Sequence, residues 1–425
     1  MFFKYSFKKI GHIMAINKEK KQEIESLIKN LALQNIPRKN FSLIFRYHDQ
    51  ENTNSDENKF VFIHEDLEPK IINEETLQNK AKLIAQILKE KQNRDYIILC
   101  QPPFALEMID RNIEVEPVLD DLPQIIGLRC RIRNGNDNDQ ILKVLKKDDA
   151  CLLDNYNLNQ SCLLALAPSL EQVLSAVLIV EKSSQAMIEA ESIGGAKKLS
   201  YRVARNYRKA YLSKYSHLNK NITSLTESDY TRKIADEEMS LRRQLVEYGH
   251  KLIHENLVQG TWGNLSLRLD EQYMLVTPSG MAYERLNAYD MVRVNYHNME
   301  AEATLKPSVE KGFHAAVYRK HNDINGMIHT HSFNSSVFAA ANKPLPIILP
   351  EATLLLGHKT SFVPYFQPGT EKLAQAVAES ISEDIWSTIM GSHGLACCGK
   401  SLDDAFNRTK LMEKSARYYL DIHKN

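Results

Sequence analysis

An internal repeat constrains the fold of this chain more than any other feature. Residues 169–188, SLEQVLSAVLIVEKSSQAMI, and residues 401–420, SLDDAFNRTKLMEKSARYYL, share Ser-Leu and Glu-Lys-Ser at a common offset of 232 positions. The second segment has apolar residues at three- and four-residue spacing and Ser401 at the N-cap position, which predicts a helix. A short apolar run lies upstream of each helix, at 97–101 and at 326–331. The sequence therefore predicts two copies of one α/β unit.

The length of the chain agrees with two domains. Its 425 residues exceed what a single hydrophobic core usually organises. We predict a first domain over 15–230, which includes a basic helical linker from about 190, and a second domain over 236–425. These ranges are called the first and the second repeat below.

The composition excludes several classes of protein. The hydrophobic content of 43% is ordinary for a globular chain, and the formal charge of +1 gives no reason to expect a nucleic acid or an anionic membrane as partner. The six cysteines form no CxxC pattern, so free thiols are expected. The sequence shows no signal peptide and no apolar run long enough to cross a bilayer. We therefore expect a cytoplasmic protein.

The segment from about 189 to 230 is rich in lysine, arginine and tyrosine. Interleaved basic and aromatic residues can form an RNA-binding face. The alternative is a solvated helix and linker, which the nearly neutral charge of the whole chain favours.

Three histidines of the second repeat form a candidate metal site. In a strand, His329 and His331 would project from the same face because side chains alternate with period two. His393 follows another apolar run and precedes a glycine, and it is the best third ligand. Three imidazoles suit zinc, and cobalt, manganese or iron are alternatives. By spacing alone, the histidine pair is as often structural as metal-binding.

Neighbouring motifs add to this site. Glu310 stands near the start of the predicted helix before the histidine strand, where it could act as a general acid or base or only favour the helix dipole. Glycine-containing turns occur at 260–268 and at 276–281. Their backbone N–H groups and the side chains of Asn264, Thr277 and Ser279 could hold a phosphate, although such segments are usually plain turns.

The ordered set GNLSLR, TPSG, PSVEKGFHAAVYRKHNDINGMIHTHS, LPEATLLLG and GSHGLACCGKSL resembles the class II aldolase/adducin family across the second repeat. The resemblance implies an α/β fold of three layers, with a mainly antiparallel sheet between helices, here in two tandem copies. It implies one zinc ion per chain, or another divalent metal, bound by His329, His331 and His393, and Glu310 as the acid/base. The implied phosphate-binding residues are Gly263, Asn264, Ser279, Gly280 and Ser308.

The implied activity is that of a metal-dependent lyase. Such an enzyme cleaves a carbon–carbon bond in a small phosphorylated sugar or sugar acid through an enediolate, as an aldolase or a decarboxylase. The alternatives are a dehydratase or epimerase acting on a sugar phosphate, and a non-catalytic, adducin-like assembly protein.

The sequence departs from the family pattern at several positions. Fuculose-phosphate aldolases of the family have a second serine where this chain has Val309, and a tyrosine from a neighbouring subunit near Pro350 and Glu351. Relatives that epimerise ribulose 5-phosphate have an aspartate at the position of Glu310, which argues against that reaction.

The first repeat lacks the metal ligands. The offset of 232 places Ser161 opposite His393, and an offset of 230 in the strand region places Leu99 and Gln101 opposite the histidine pair. We predict that this repeat keeps the fold without the metal, as an assembly or regulatory module. Because family members commonly form C4 tetramers with the active site at subunit interfaces, the resemblance also implies a homo-oligomer in which the two repeats alternate around a ring.

Overall fold

The computed structural model describes residues 18–33, 35–37, 41–47, 59–64, 69–73, 80–157, 160–215, 224–230, 233–302 and 305–424. The chain forms two compact units. The first comprises the residues up to Glu116 together with Ile125–Ser184, and the second comprises Pro117–Gln124 and Gln185–Asn425. The two compact units follow contacts in space, whereas the predicted domains follow the repeat in the sequence. The predicted domain boundaries therefore stay a proposal.

The elements of the two halves are as follows. The first half contains α1 (Lys18–Leu33), β1 (Ser42–Tyr47), β2 (Lys59–His64), β3 (Pro69–Asn73), α2 (Lys80–Glu90), β4 (Tyr96–Cys100), α3 (Pro103–Asp110), α4 (Asp121–Ile125), β5 (Arg131–Asn134), α5 (Asn138–Leu145), β6 (Ala150–Asn157), β7 (Gln160–Ala167), α6 (Leu170–Glu189) and α7 (Tyr201–Ala210). The second half contains α8 (Asp236–His254), β8 (Asn264–Arg268), β9 (Tyr273–Val276), β10 (Val292–Asn295), β11 (Ala301–Glu302), α9 (Lys311–Lys320), β12 (Gly326–Thr330), α10 (Phe333–Ala341), α11 (Pro350–Leu356), β13 (Ser361–Val363), α12 (Glu371–Ser380), β14 (Ser387–Met390), β15 (Gly394–Gly399) and α13 (Leu402–Ile422). Short 3-10 or π turns lie at Ala190–Ile193, Tyr211–Tyr215, Glu227–Asp229, Tyr283–Arg285 and Ala288–Asp290.

The two sheets have the same strand order. The sheet of the first unit runs β3-β2-β1-β4-β7-β6-β5, and that of the second runs β10-β9-β8-β12-β15-β14-β13, with the short β11 beside β10. Among the described strands, each sheet has one parallel pair, β5 with β6 and β13 with β14, and all other pairs are antiparallel. The prediction of mainly antiparallel sheets in two tandem copies is confirmed.

A buried carboxylate contact recurs in both repeats. In each, a glutamate of a long helix accepts hydrogen bonds from backbone N–H groups in the first turn of the helix that follows the central strand. The contacts are Glu181 with Phe104 and Ala105 (3.0 and 2.9 Å) and Glu413 with Asn334 and Ser335 (2.7 and 2.9 Å). Helix N-termini have unsatisfied N–H groups that attract an anion. The shared Glu-Lys-Ser of the sequence repeat therefore has a structural role.

The sheet of the second unit has helices on both faces, as predicted. Met327 and Cys398 pack with residues of α9 and α12. Ile328 packs with α8 and α13 on the opposite face, because successive side chains of β12 alternate. Both faces are covered, so β12 is buried along its whole length.

Two further predictions concern the whole chain. All six cysteines are free thiols, as expected, and all are buried. None of the helices in the described ranges is long and apolar enough to cross a membrane.

Candidate metal centre

The central strand β12 and a neighbouring turn bring the three predicted histidines together. His329 lies within β12, His331 follows its last residue, and His393 lies in the turn between β14 and β15. The predicted same-face arrangement is confirmed, since the Nε2 atoms of His329 and His331 are 2.9 Å apart. The ring of His393 lies 4.9 Å from that of His329 and 4.7 Å from that of His331, between centroids. All three side chains are buried.

The contacts of the three Nδ1 atoms indicate that the Nε2 atoms of the histidines face the centre. Nδ1 of His329 lies 2.8 Å from the carbonyl oxygen of Leu395. A carbonyl can only accept, so this Nδ1 carries the proton, and Nε2 of the neutral ring has a free lone pair. Nδ1 of His393 lies 2.8 Å from Oδ2 of Asp120, and Nδ1 of His331 lies 3.7 Å from Oδ2 of Asp121. The three Nε2 atoms therefore converge.

Glu310 completes the group. It is the N-cap of α9, and its Oε1 lies 2.8 Å from Nε2 of His393 while its Oε2 lies 3.3 Å from Nε2 of His329. One ligand atom from each of these four side chains lies within 4.8 Å of the others. Two imidazole nitrogens 2.9 Å apart beside a carboxylate share either a proton or a metal cation. The donor set fits a divalent metal with nitrogen and oxygen ligands.

Burial and the mutual charges of these groups shift their pKa values. Burial lowers the pKa of His329 well below its usual range, against the attraction of Glu310. Burial opposes protonation of His393 as well, but the carboxylates of Asp120 and Glu310 outweigh it and raise the pKa of His393 well above its usual range. For Glu310 burial raises the pKa, and the three histidines outweigh that effect and lower it well below the usual range. The centre is thus a site for positive charge.

The predicted phosphate residue Asn264 makes internal contacts here. Its Nδ2 donates to Oε2 of Glu310 at 2.8 Å, and its Oδ1 lies 2.5 Å from Nε2 of His314. Gly263, just before it, has φ +85°, and a Cβ atom there would lie 2.5 Å from the carbonyl oxygen of His329. Only glycine fits this close approach. Both residues therefore shape the centre, and their phosphate contacts stay a prediction.

The other predicted phosphate residues lie on two adjacent segments. Ser279 donates its N–H to the carbonyl oxygen of Lys306 (2.9 Å), and Ser308 donates its N–H to that of Thr277 (3.0 Å). The hydroxyl oxygen of Ser308 accepts the N–H of Glu310 at 3.2 Å. Gly280 follows Ser279 with φ +76°. The structure thus joins the segments 277–280 and 306–308 beside Glu310, and their binding of a phosphate stays a prediction.

Sequence reasoning missed two acidic residues of the centre. Asp120 and Asp121 are fully buried and belong to the segment Pro117–Gln124, which packs in the second unit. The offset of 230 that aligns the strands also aligns LDDLPQIIG, from 119, with LPEATLLLG, from 349, and so places Asp120 and Asp121 opposite Pro350 and Glu351. That register was the available signal, but it does not reveal that Asp120 contacts His393, which is 273 positions away in the sequence.

Two tyrosines with buried hydroxyl groups were also missed. Tyr207 of α7 and Tyr365 have ring centroids 6.4 Å apart. Burial raises the pKa of both above the usual range, and the charge of Asp120 adds to this effect in both. Glu310 also raises the pKa of Tyr207. Part of the predicted basic linker therefore lies beside the centre.

The contents of the second repeat identify the family. Residues 243–420 match the model of the Class II Aldolase and Adducin N-terminal domain. An L-fuculose phosphate aldolase of Methanocaldococcus jannaschii is 33% identical over 179 residues, which are 42% of this chain and 95% of that protein. The chain belongs to the class II aldolase and adducin family.

Other members of the class II aldolase and adducin family are similar to the same extent. A 5-deoxy-D-ribulose 1-phosphate aldolase of Bacillus thuringiensis is 32% identical over 179 residues, which are 42% of this chain and 83% of the relative. A solved structure of an L-fuculose 1-phosphate aldolase is 28% identical, covers 45% of this chain and 88% of its own, and has a TM-score of 0.41. The family segment contains Glu310 and the three histidines, whereas Asp120, Asp121 and Tyr207 lie outside it.

Proposed function

We propose that this protein is a metal-dependent lyase that cleaves a carbon–carbon bond in a small phosphorylated sugar or sugar acid. The observation that carries the proposal is the convergence of three buried imidazole nitrogens on the carboxylate of Glu310. The sugar-phosphate aldolases among the relatives support the substrate class.

The three histidines would hold the metal through their Nε2 atoms. Zinc suits three imidazoles with a position open to substrate. When bound, the metal supplies positive charge next to the substrate oxygen on which negative charge develops during cleavage.

Glu310 is the proposed acid/base. Cleavage releases the proton of the hydroxyl group on the carbon that becomes the aldehyde and leaves a carbanion equivalent on the other carbon. Glu310 would accept the first proton and donate it to that second carbon. The carboxylate is well placed for this transfer, because its N-cap position and the 2.8 Å bond from Asn264 fix its orientation. Its low pKa keeps Glu310 ionised and therefore able to accept a proton.

The proposed phosphate site consists of the joined segments 277–280 and 306–308 together with the turn at Gly263 and Asn264. Backbone N–H groups and small hydroxyl side chains in turns can enclose an anion. Binding a phosphate away from the reacting carbons would fix the orientation of the substrate. The proposed contacts are Gly263, Asn264, Ser279, Gly280 and Ser308.

Tyr207 is the proposed hydrogen-bond donor to the departing aldehyde. Its raised pKa means that the phenol keeps its proton, so its hydroxyl can donate to a carbonyl oxygen. Its hydroxyl is buried within electrostatic reach of Asp120 and Glu310.

A substrate screen tests the proposal. The metal-loaded full chain is incubated with phosphorylated ketoses and with phosphorylated 3-oxo acids, and the released aldehyde and CO2 are measured in parallel. We expect aldehyde from at least one ketose phosphate, and CO2 alone would identify a decarboxylase. A protein that binds metal fully and releases neither product would contradict the proposal and favour the adducin-like assembly role. The expected homo-oligomer stays a prediction that a native mass measurement can test.

A further inference from the structure

We infer that the first repeat takes part in the metal centre of the second by contributing Asp120 and Asp121, which position the imidazoles of His393 and His331. The inference rests on the proposed function, because it takes these imidazoles as metal ligands. It assigns a role to a segment outside the family match, which begins at residue 243.

Asp120 contacts the turn that carries His393 in two ways. Its Oδ2 lies 2.8 Å from Nδ1 of His393, and its backbone N–H donates to the carbonyl oxygen of Ser392 at 2.9 Å. The carboxylate can only accept, so the bond requires the proton on Nδ1 and leaves Nε2 to face the centre. One residue thus fixes both the backbone and the tautomer of the ligand.

The carboxylate of Asp121 lies near His331, on the side of the ring that faces away from the centre. Oδ2 of Asp121 lies 3.7 Å from Nδ1 of His331, which is an ion-pair distance and longer than a hydrogen bond. His329 has a neutral acceptor in the same position, the carbonyl oxygen of Leu395. Each of the three rings therefore has an oxygen atom near its Nδ1 atom, and two of these three oxygens belong to residues of the first repeat.

The segment Pro117–Gln124 is anchored firmly enough to serve as a support. Val118 and Leu119 are buried in the same core cluster as Val337, Ile389 and Met412. Pro117 accepts the N–H of Leu199 at 2.9 Å, and Gln124 accepts a guanidinium bond from Arg208 at 2.8 Å, both through their carbonyl oxygens. The segment is therefore held by hydrogen bonds at both ends and by apolar packing next to its carboxylates.

The burial of these acids indicates a cationic partner. Both side chains are fully buried, and Oδ1 of Asp120 has no hydrogen-bond partner within the described ranges. A buried carboxylate costs several kcal/mol unless positive charge compensates it. At the equivalent position of the second repeat, Glu351 is exposed and pairs with Lys414. Of these two equivalent segments, the one that faces the histidines has the buried acids.

A carboxylate behind a metal-bound histidine fixes the ring and makes it a stronger ligand, and its loss weakens metal binding about 10- to 100-fold. We expect Asp120→Ala in the full chain to weaken zinc affinity in this range. Asp120→Asn should lose less but still measurably, since its amide oxygen accepts the Nδ1 proton without the negative charge of the carboxylate. Asp121→Ala should lose less than Asp120→Ala, because its distance is longer.

Zinc affinity is measured on metal-free full-length protein by competition with a chromophoric chelator. The visible spectrum of the cobalt-loaded protein provides a second readout, because it responds to ligand geometry and not to stability. Glu189→Gln is the matched control. It neutralises a buried carboxylate of the same unit that pairs with Arg417, so we expect a lower melting temperature with unchanged affinity.

The outcomes separate the two proposals. A wild-type protein that binds no metal overturns the proposed function and this inference together. If the wild type binds zinc and Asp120→Ala binds it equally well, only this inference fails. It also fails if Glu189→Gln weakens binding as much as Asp120→Ala. Should Asp120→Ala not fold, an unchanged affinity and cobalt spectrum in Asp120→Asn overturn it.

Discussion

Glu310 separates metal binding from turnover at the scale of single residues. Its carboxylate touches His393 and His329, but three imidazoles remain if it is neutralised. We expect Glu310→Gln to keep the metal and to lower kcat about 10²- to 10⁴-fold, the usual contribution of a general acid/base. Metal per chain and kcat are measured on the same sample. Glu310→Ala should behave alike, and an active variant would remove Glu310 from this role.

Tyr207 allows a comparison between two neighbouring phenols. If its hydroxyl donates to the departing aldehyde, Tyr207→Phe should lower kcat about 10²-fold or more with little change in KM, because the bond strengthens only as the aldehyde forms. Tyr365→Phe is the matched control. Tyr365 is half-buried with a buried hydroxyl, and Glu310 is not among the charges that shift its pKa. Equal effects of the two variants would contradict the assignment.

His314 should make stability depend on pH. Burial lowers its pKa from 6.5 to about 3, while its ring nitrogens contact Ser266 and Asn264. Between pH 6.5 and about pH 3 the His314 ring binds a proton in the unfolded chain but not in the folded chain. Stability from this group is therefore complete above pH 6.5 and is lost as the pH falls, by up to about 1.4 kcal/mol per pH unit.

The pH effect is measured as the urea midpoint of metal-free wild type and His314→Gln between pH 7.5 and pH 5 in the same buffer system. The variant is less stable at pH 7.5, yet its stability should fall less steeply below about pH 6. Parallel curves for the two proteins would show that His314 is not kept neutral by the fold.

At the scale of elements, the helices and strands with strong local sequence patterns could be predicted. The helix after Ser401 has its expected N-cap, with the Ser401 hydroxyl accepting the N–H of Asp404 at 3.1 Å. The histidine strand is β12. The five-residue α4 has no periodicity to read, and Asp120, just before it, contacts His393 across a long stretch of chain. Contacts of this kind depend on packing, which no local pattern records.

The contact between Glu413 and the first turn of α10 is expected to contribute measurably to stability. Glu413 accepts two backbone N–H groups and the hydroxyl of Ser335. Glu413→Ala leaves these part-buried donors unpaired, which should cost about 1–3 kcal/mol. Glu371→Ala, at an exposed position in the first turn of α12, is the control and should cost under about 1 kcal/mol. Thermal unfolding of both variants provides the comparison, and equal costs would contradict the prediction.

At the scale of the whole molecule, duplication explains what could be predicted and what could not. The shared motifs indicated two copies of one fold, and the equal strand orders agree. The copies differ in the side chains at matching positions. Which residues of one copy support the site of the other depends on how the segment Pro117–Gln124 packs, so Asp120 could not be placed from the sequence.

The metal content of the chain is the prediction that tests this divergence. In the first repeat, Gln101 and Ser161 stand at the positions of His331 and His393, and Nε2 of Gln101 donates to the carbonyl oxygen of Ser161 at 2.9 Å. The two corresponding positions of the first repeat are therefore also close together, but they carry an amide and a hydroxyl instead of imidazoles. Leu99, at the position of His329, is a buried apolar residue. None of these three side chains binds zinc well.

We therefore expect one zinc per chain, not two, when the metal-free protein is saturated and analysed by mass spectrometry for metal content. The triple variant His329→Ala, His331→Ala, His393→Ala should hold none, because it removes the nitrogen ligands while the first repeat is intact. Gln101→Ala is the matched control and should still hold one. Two zinc ions in the wild type, or one left in the triple variant, would show that the first repeat has a metal site of its own.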